Sequence, residues 1–162
     1  MKQAIKSKDD GQQRRDFLRI STVFGLAFAA GMLKPSDVFA AEWDSKAFEA
    51  KSLQDVFAAM GAGSPVISAD ITITAPDIAE NGAVVPVSVS SKAANTEYIA
   101  ILIEKNPNAM SAAFNIPEGT EASVSTRVKI GETSNVHALV KADGKWLVAS
   151  KEIKVTLGGC GG

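Results

Sequence analysis

The chain has 162 residues, with 17 Lys and Arg against 18 Asp and Glu, a formal net charge of −1, and a single cysteine and a single histidine. That length suits one domain with a sizeable core. The charge balance, with no basic stripe interleaved with aromatics, excludes an ordinary nucleic-acid surface. One cysteine excludes an internal disulfide, and one histidine with no cysteine beside it makes no metal site.

The first forty residues read as an export address. Gln13-Arg14-Arg15-Asp16-Phe17-Leu18-Arg19 resembles the bacterial twin-arginine motif, with Arg14, Arg15, Phe17 and Leu18 at the expected offsets and Gln13 where Ser or Thr is usual. The apolar stretch from Ile20 to Leu33 is short and rich in Gly and Ala, unlike a permanent anchor. Val38-Phe39-Ala40 places a cleavage site before Ala41, and no cysteine follows it to take a lipid. The expected parts are therefore a cleaved signal peptide over 1–40, a folded domain over 41–157 and a tail over 158–162. The leader holds seven basic and four acidic residues, leaving ten basic and fourteen acidic in the mature chain and a net charge of −4. The twin-arginine route carries folded cargo, so with no cofactor motif in view a co-exported partner is expected. The mature protein is expected outside the cytoplasm, with no membrane association after cleavage.

Asp44 or Ser45 is positioned to cap a helix running to about Met60. Trp43, Ala47, Ala50, Leu53, Phe57 and Met60 recur at three- and four-residue steps, and Gly61 is a natural stop. The period then changes to two. Ile67, Ala69, Ile71 and Ile73 alternate with polar residues, as do Val85, Val87 and Val89. Pro86 cannot donate to a ladder, so its strand should be an edge or begin irregularly. Tyr98–Ile103 is apolar on both faces. Its second face lies either under the helix or under a partner chain. Ala112–Ile116, Ala122–Ile130, Val136–Val140 and Trp146–Leu157 complete a count of seven strands, with Asp143-Gly144 as a two-residue hairpin signal. The expected fold is all-β: an immunoglobulin-like antiparallel β-sandwich of about seven strands, with one N-terminal helix and a flexible C-terminal tail.

The chain closes on Gly158-Gly159-Cys160-Gly161-Gly162. Glycine has no Cβ, so the segment around the thiol is slim and free to bend. No neighbouring side chain favours the thiolate, and activation is expected from a partner's site. An exposed free thiol in an exported protein is a liability unless it is used. Elsewhere the sequence offers little chemistry. His137 lies within a strand and reads as structural, Trp146 reads as a core anchor, and no nucleophile elbow or paired-carboxylate pattern occurs.

The leader, the small all-β domain behind one helix and the terminal Gly-Gly-Cys-Gly-Gly together resemble the SoxY family, the sulfur carriers of bacterial thiosulfate oxidation. The resemblance implies that Cys160 is the covalent anchor for sulfur intermediates, with Gly158, Gly159, Gly161 and Gly162 letting the tail thread into enzyme pockets. It implies a non-catalytic carrier in the periplasm that needs no cofactor or metal beyond the sulfur bound on Cys160. The implied partners are a SoxZ-like β-sandwich subunit in a heterodimer, a haem-containing thiosulfate-conjugating enzyme, a sulfate-releasing thiohydrolase and a sulfur dehydrogenase. Two other readings remain open from the residues: an exported binding module with an incidental cysteine, and a thiol-redox protein, which would lack a resolving thiol.

Overall fold

A computed structural model describes residues 45–156. The N-terminal stripe forms two short helices where one was expected: α1 (Ser45–Glu49) and α2 (Leu53–Ala59). The break has two causes, one local and one tertiary. Ser52 is extended and caps α2, its hydroxyl accepting from the Asp55 N–H at 3.1 Å. The Ala50 carbonyl is taken by the Ala109 N–H at 2.9 Å, a tertiary bond that competes with helix continuation. The predicted stop at Gly61 holds. With φ at +64°, it lets the Ala62 N–H reach the Phe57 carbonyl (2.7 Å) and its own N–H reach that of Ala58 (3.2 Å), a Schellman ending.

Among the described residues nine strands follow: β1 (Val66–Ile67), β2 (Ile71–Thr74), β3 (Ile78–Ala79), β4 (Val85–Ser91), β5 (Thr96–Ile103), β6 (Met110–Asn115), β7 (Ser123–Val128), β8 (Ser134–Ala142) and β9 (Lys145–Val155). One sheet has the order β1-β9-β8-β5-β6, with β3 also pairing with β9, and the second has the order β2-β4-β7. All pairings are antiparallel except those of β1 and β3 with β9. Six of the seven expected strands are thus present in a two-sheet sandwich, the first expected strand is split into β1 and β2, and β3 is an addition.

The stretch around Ile67–Ile73 is not one strand. Val66 and Ile67 pair with Leu147 and Val148, whereas Ile71–Thr74 pairs with Ser91–Ser88 in the other sheet. The crossing occurs at Ser68–Asp70, where the Asp70 N–H donates to the Ser68 hydroxyl at 3.2 Å. This local turn takes the backbone out of the ladder.

β4, expected to be an edge or to begin irregularly because of Pro86, is the middle strand of its sheet, but its first residues are paired on one side only. The β2 register ends at Thr74↔Ser88, so Pro86 faces a neighbour on the β7 side alone, at Arg127. A missing N–H on the open side leaves no partner unsatisfied. At the Asp143-Gly144 hairpin both residues have positive φ, +48° and +69°, as a two-residue turn between β8 and β9 requires.

The core forms on both faces of the larger sheet. Between the sheets, Ile99, Ile101 and Ile103 of β5 meet Val136, Ala138 and Val140 of β8, Val85, Val87 and Val89 of β4, and Ile130 and Ile153. On the outer face, Ala100, Leu102 and Leu139 are buried with Ala47, Ala50, Val56 and Met110. The two helices therefore cover the second face of Tyr98–Ile103, the first of the two arrangements expected for it. Trp146 packs only partly buried at the rim of this layer, edge-on to Tyr98 with ring centroids 6.1 Å apart and planes at 80°. It is a rim residue rather than the core anchor expected.

Candidate functional site

Cys160 and its flanking Gly158, Gly159, Gly161 and Gly162 lie outside the described residues, as do Arg14, Arg15, Phe17 and Leu18. What the structure describes is the root from which the tail departs. Among the described residues β9 is the longest strand, at 11 residues, and its C-terminal part is held from two sides. On one side β8 pairs with it to Ser134↔Ile153; on the other, β3 adds Ile78↔Lys154 and Ala79↔Val155.

Further bonds fix the final residues. The Lys154 N–H donates to the Asp77 carbonyl (2.9 Å), the Val155 N–H to the Thr133 hydroxyl (3.0 Å) and the Thr156 N–H to the Ala79 carbonyl (3.1 Å). Lys151 reaches across the edge, its Nζ 2.6 Å from the Ala75 carbonyl and 3.0 Å from Asp77 Oδ1. The Asp77 side chain is largely exposed, so this ion pair positions more than it stabilises. The backbone is thus bonded up to Thr156, and Cys160 is four residues beyond a fixed point. Four extended residues span about 13–14 Å. Sequence reasoning placed the thiol but missed its mount. Thr133, Asp77 and Lys151 act through pairings distant in sequence, which no local pattern signals.

The sole histidine, His137, is on β8, across from Leu102 of β5. His137 Nε2 is 3.6 Å from Glu104 Oε2, too long for a hydrogen bond, and is buried without one. Glu104 also accepts from Asn135 Nδ2 at 2.9 Å, and this bond is the main cause that holds its carboxyl below the usual range. Burial pushes the His137 imidazole below its usual 6.5, and the Glu104 carboxylate opposes that only in part. A histidine whose folded pKa is depressed binds its proton more readily in the unfolded chain. Its contribution is therefore complete above the unfolded value and is lost as pH falls below about 6.5 towards the folded value. Urea unfolding from pH 8 to pH 5 should show stability declining through this window, and His137→Gln should flatten the decline. The depressed Glu104 carboxyl acts at lower pH, where protonation begins. An unchanged slope in the variant would remove His137 as the cause.

An open cleft of about 580 Å³ lies between the β5–β6 turn and the end of β7. Asn106 braces it, donating to the Lys129 carbonyl at 2.7 Å and accepting from the Gly131 N–H at 3.1 Å. Arg127 and Lys129 line it, and its lining holds no carboxylate, imidazole or thiol. Among the described residues no group of three His, Cys, Asp or Glu could hold a metal ion, and no helix is long and apolar enough to cross a membrane.

Comparison with known proteins identifies the company this arrangement keeps. The family described as Sulfur oxidation protein SoxY matches residues 57–160, so the match extends to the cysteine. Among solved structures, the sulfur carrier protein SoxY from Chlorobium limicola f thiosulfatophilum is 38% identical, with a TM-score of 0.57, over 64% of this chain and 96% of that one. A superoxide reductase (neelaredoxin) from Ignicoccus hospitalis is 20% identical with a TM-score of 0.47, over 53% of this chain and 80% of that one. No curated protein sequence matches significantly.

Proposed function

This chain belongs to the SoxY family of sulfur oxidation proteins, and on that premise we propose that it is a covalent carrier of sulfur-oxidation intermediates, held on the thiol of Cys160. The observation that carries the reading is the placement of the only cysteine, between glycines and four residues past Thr156, the last bonded residue after a β-strand paired on both sides. A rigid body presents a slim, reactive arm. The identity to a solved sulfur carrier supports the same reading.

The chemistry balances with partners of the stated kinds. The Cys160 thiol and thiosulfate form a sulfur–sulfur bond, giving a cysteine S-thiosulfonate. One proton and two electrons leave, the electrons passing to the haem-containing enzyme. Water then releases sulfate from the adduct and leaves a persulfide on Cys160, whose outer sulfur a dehydrogenase oxidises further. Sulfur suits this role because such bonds exchange readily through thiolates. The tether keeps each intermediate at high local concentration for the next enzyme. The carrier itself supplies no acid, base or metal. It travels to the periplasm by the twin-arginine route with a leaderless β-sandwich subunit bound.

Intact mass of the protein from thiosulfate-grown cells tests this directly. Additions of whole sulfur atoms or of a thiosulfonate, mapped to the C-terminal peptide and removed by reductant, are expected. One unmodified mass that never responds to thiosulfate would overturn the carrier reading and favour a binding module.

A further inference from the structure

Resting on the carrier reading, we propose that the segment Ile78–Val84, beside the root of the tail, is the surface on which the enzymes that act on Cys160, the thiosulfate-conjugating enzyme among them, seat the rims of their pockets. The argument starts from reach. The thiol lies at most about 13–14 Å from Thr156 when the four intervening residues are fully extended. An enzyme that buries its reacting centre in a pocket uses much of that length on the depth of the pocket. Its rim must then press against whatever surrounds Thr156.

This segment begins beside Thr156. Ala79 accepts from the Thr156 N–H, and Ile78 pairs with Lys154. The segment is preformed rather than loose: the Ala83 N–H donates to Asn81 Oδ1 at 3.0 Å, and the Gly82 carbonyl accepts from Ile130 at 2.7 Å. It carries two large apolar side chains turned to solvent, Ile78 at 57% and Val84 at 51% exposure.

The partner it fits is an enzyme with an apolar rim around a narrow entrance. Contact through two apolar side chains is small, in keeping with transient encounters below about 1,200 Å². A carrier that visits several enzymes in turn must release each one, so a small contact serves it. Val66 and Ile67 are also exposed, at 62% and 86%, but they pair with Leu147 and Val148 near the start of β9. Their partners lie about 20–23 Å along the strand from Lys154, at roughly 3.3 Å per residue, well away from the root of the tail. Val66 and Ile67 therefore provide an internal control.

The test uses the full carrier with its subunit, and the thiosulfate-conjugating enzyme. Ile78→Glu and Val84→Glu should each lower kcat/KM about tenfold, mainly through KM, equivalent to about 1.4 kcal/mol. Ile67→Glu should leave it unchanged. Alkylation of Cys160 by iodoacetamide and association with the subunit should be the same in all three. Rates within twofold of the parent in both segment variants, an equal loss in Ile67→Glu, or loss of the subunit in the segment variants would overturn the proposal. Turnover retained by Cys160→Ser would instead overturn the carrier reading beneath it, so the two failures are distinguishable.

Discussion

Cells carrying Cys160→Ser in place of the native protein should lose thiosulfate-dependent respiration completely, while the variant folds and is exported as before. The substitution removes one function and keeps the volume. A serine hydroxyl stays protonated at neutral pH and forms no sulfur–sulfur bond, so no adduct can be built or passed on. No described contact depends on the side chain, because the bonded backbone ends at Thr156, just past β9 and four residues earlier. The effect is expected to be all or none, since no second thiol exists in the chain to take over. Oxygen uptake with thiosulfate as electron donor measures the loss, and far-UV circular dichroism with urea unfolding checks the fold. Normal respiration in the variant would remove Cys160 from the mechanism and leave the glycine-flanked thiol incidental.

The strands were legible because alternation at period two survives in most of them. In β4, Val85, Val87 and Val89 all point into the core, and in β8 Val136, Ala138 and Val140 do the same. What the sequence could not show are events decided by distant backbone. Ser68 and Asp70 fit the alternation of Ile67–Ile73 as well as any strand residues, yet their short hydrogen bond turns the chain between sheets. β1 and β3 exist only because β9 is long enough to offer each of them a parallel edge. The helix break at Ala50 depends on an N–H fifty-nine positions away, at Ala109. For Tyr98–Ile103 the sequence posed the right question, a strand apolar on both faces, and left its cover undecided; α1 and α2 supply it. The same division holds at the candidate site. Cys160 stands out by its isolation among glycines, whereas the Thr133 and Lys151 bonds that fix its root join residues 22 and 76 positions apart.

Ile101→Ala should destabilise the domain by about 2–5 kcal/mol, a large share of a typical total of about 5–15 kcal/mol. Ile101 is fully buried on β5, between the sheets. β5 is paired on both sides, with Ala112 across on β6 and Ala138 across on β8. Those neighbours are small and held in ladders, so they cannot move in to fill the space, and the cost should include most of the cavity term. Ile67→Ala removes the same atoms from a side chain 86% exposed and should stay within about 0.5 kcal/mol. Urea unfolding reads both, and a loss below about 1 kcal/mol in Ile101→Ala would mean that the inter-sheet core is not where the structure puts it. The pair also separates stability from chemistry. The thiol is four residues past the last bonded residue, Thr156, so Ile101→Ala should carry sulfur normally per folded molecule at low temperature, and lose activity on warming only as the folded fraction falls. Cys160→Ser should show the reverse, full stability with no carriage. A variant of Ile101 that impaired carriage while still folded would show that the sandwich takes part in the chemistry, rather than serving as the mount from which the tail works.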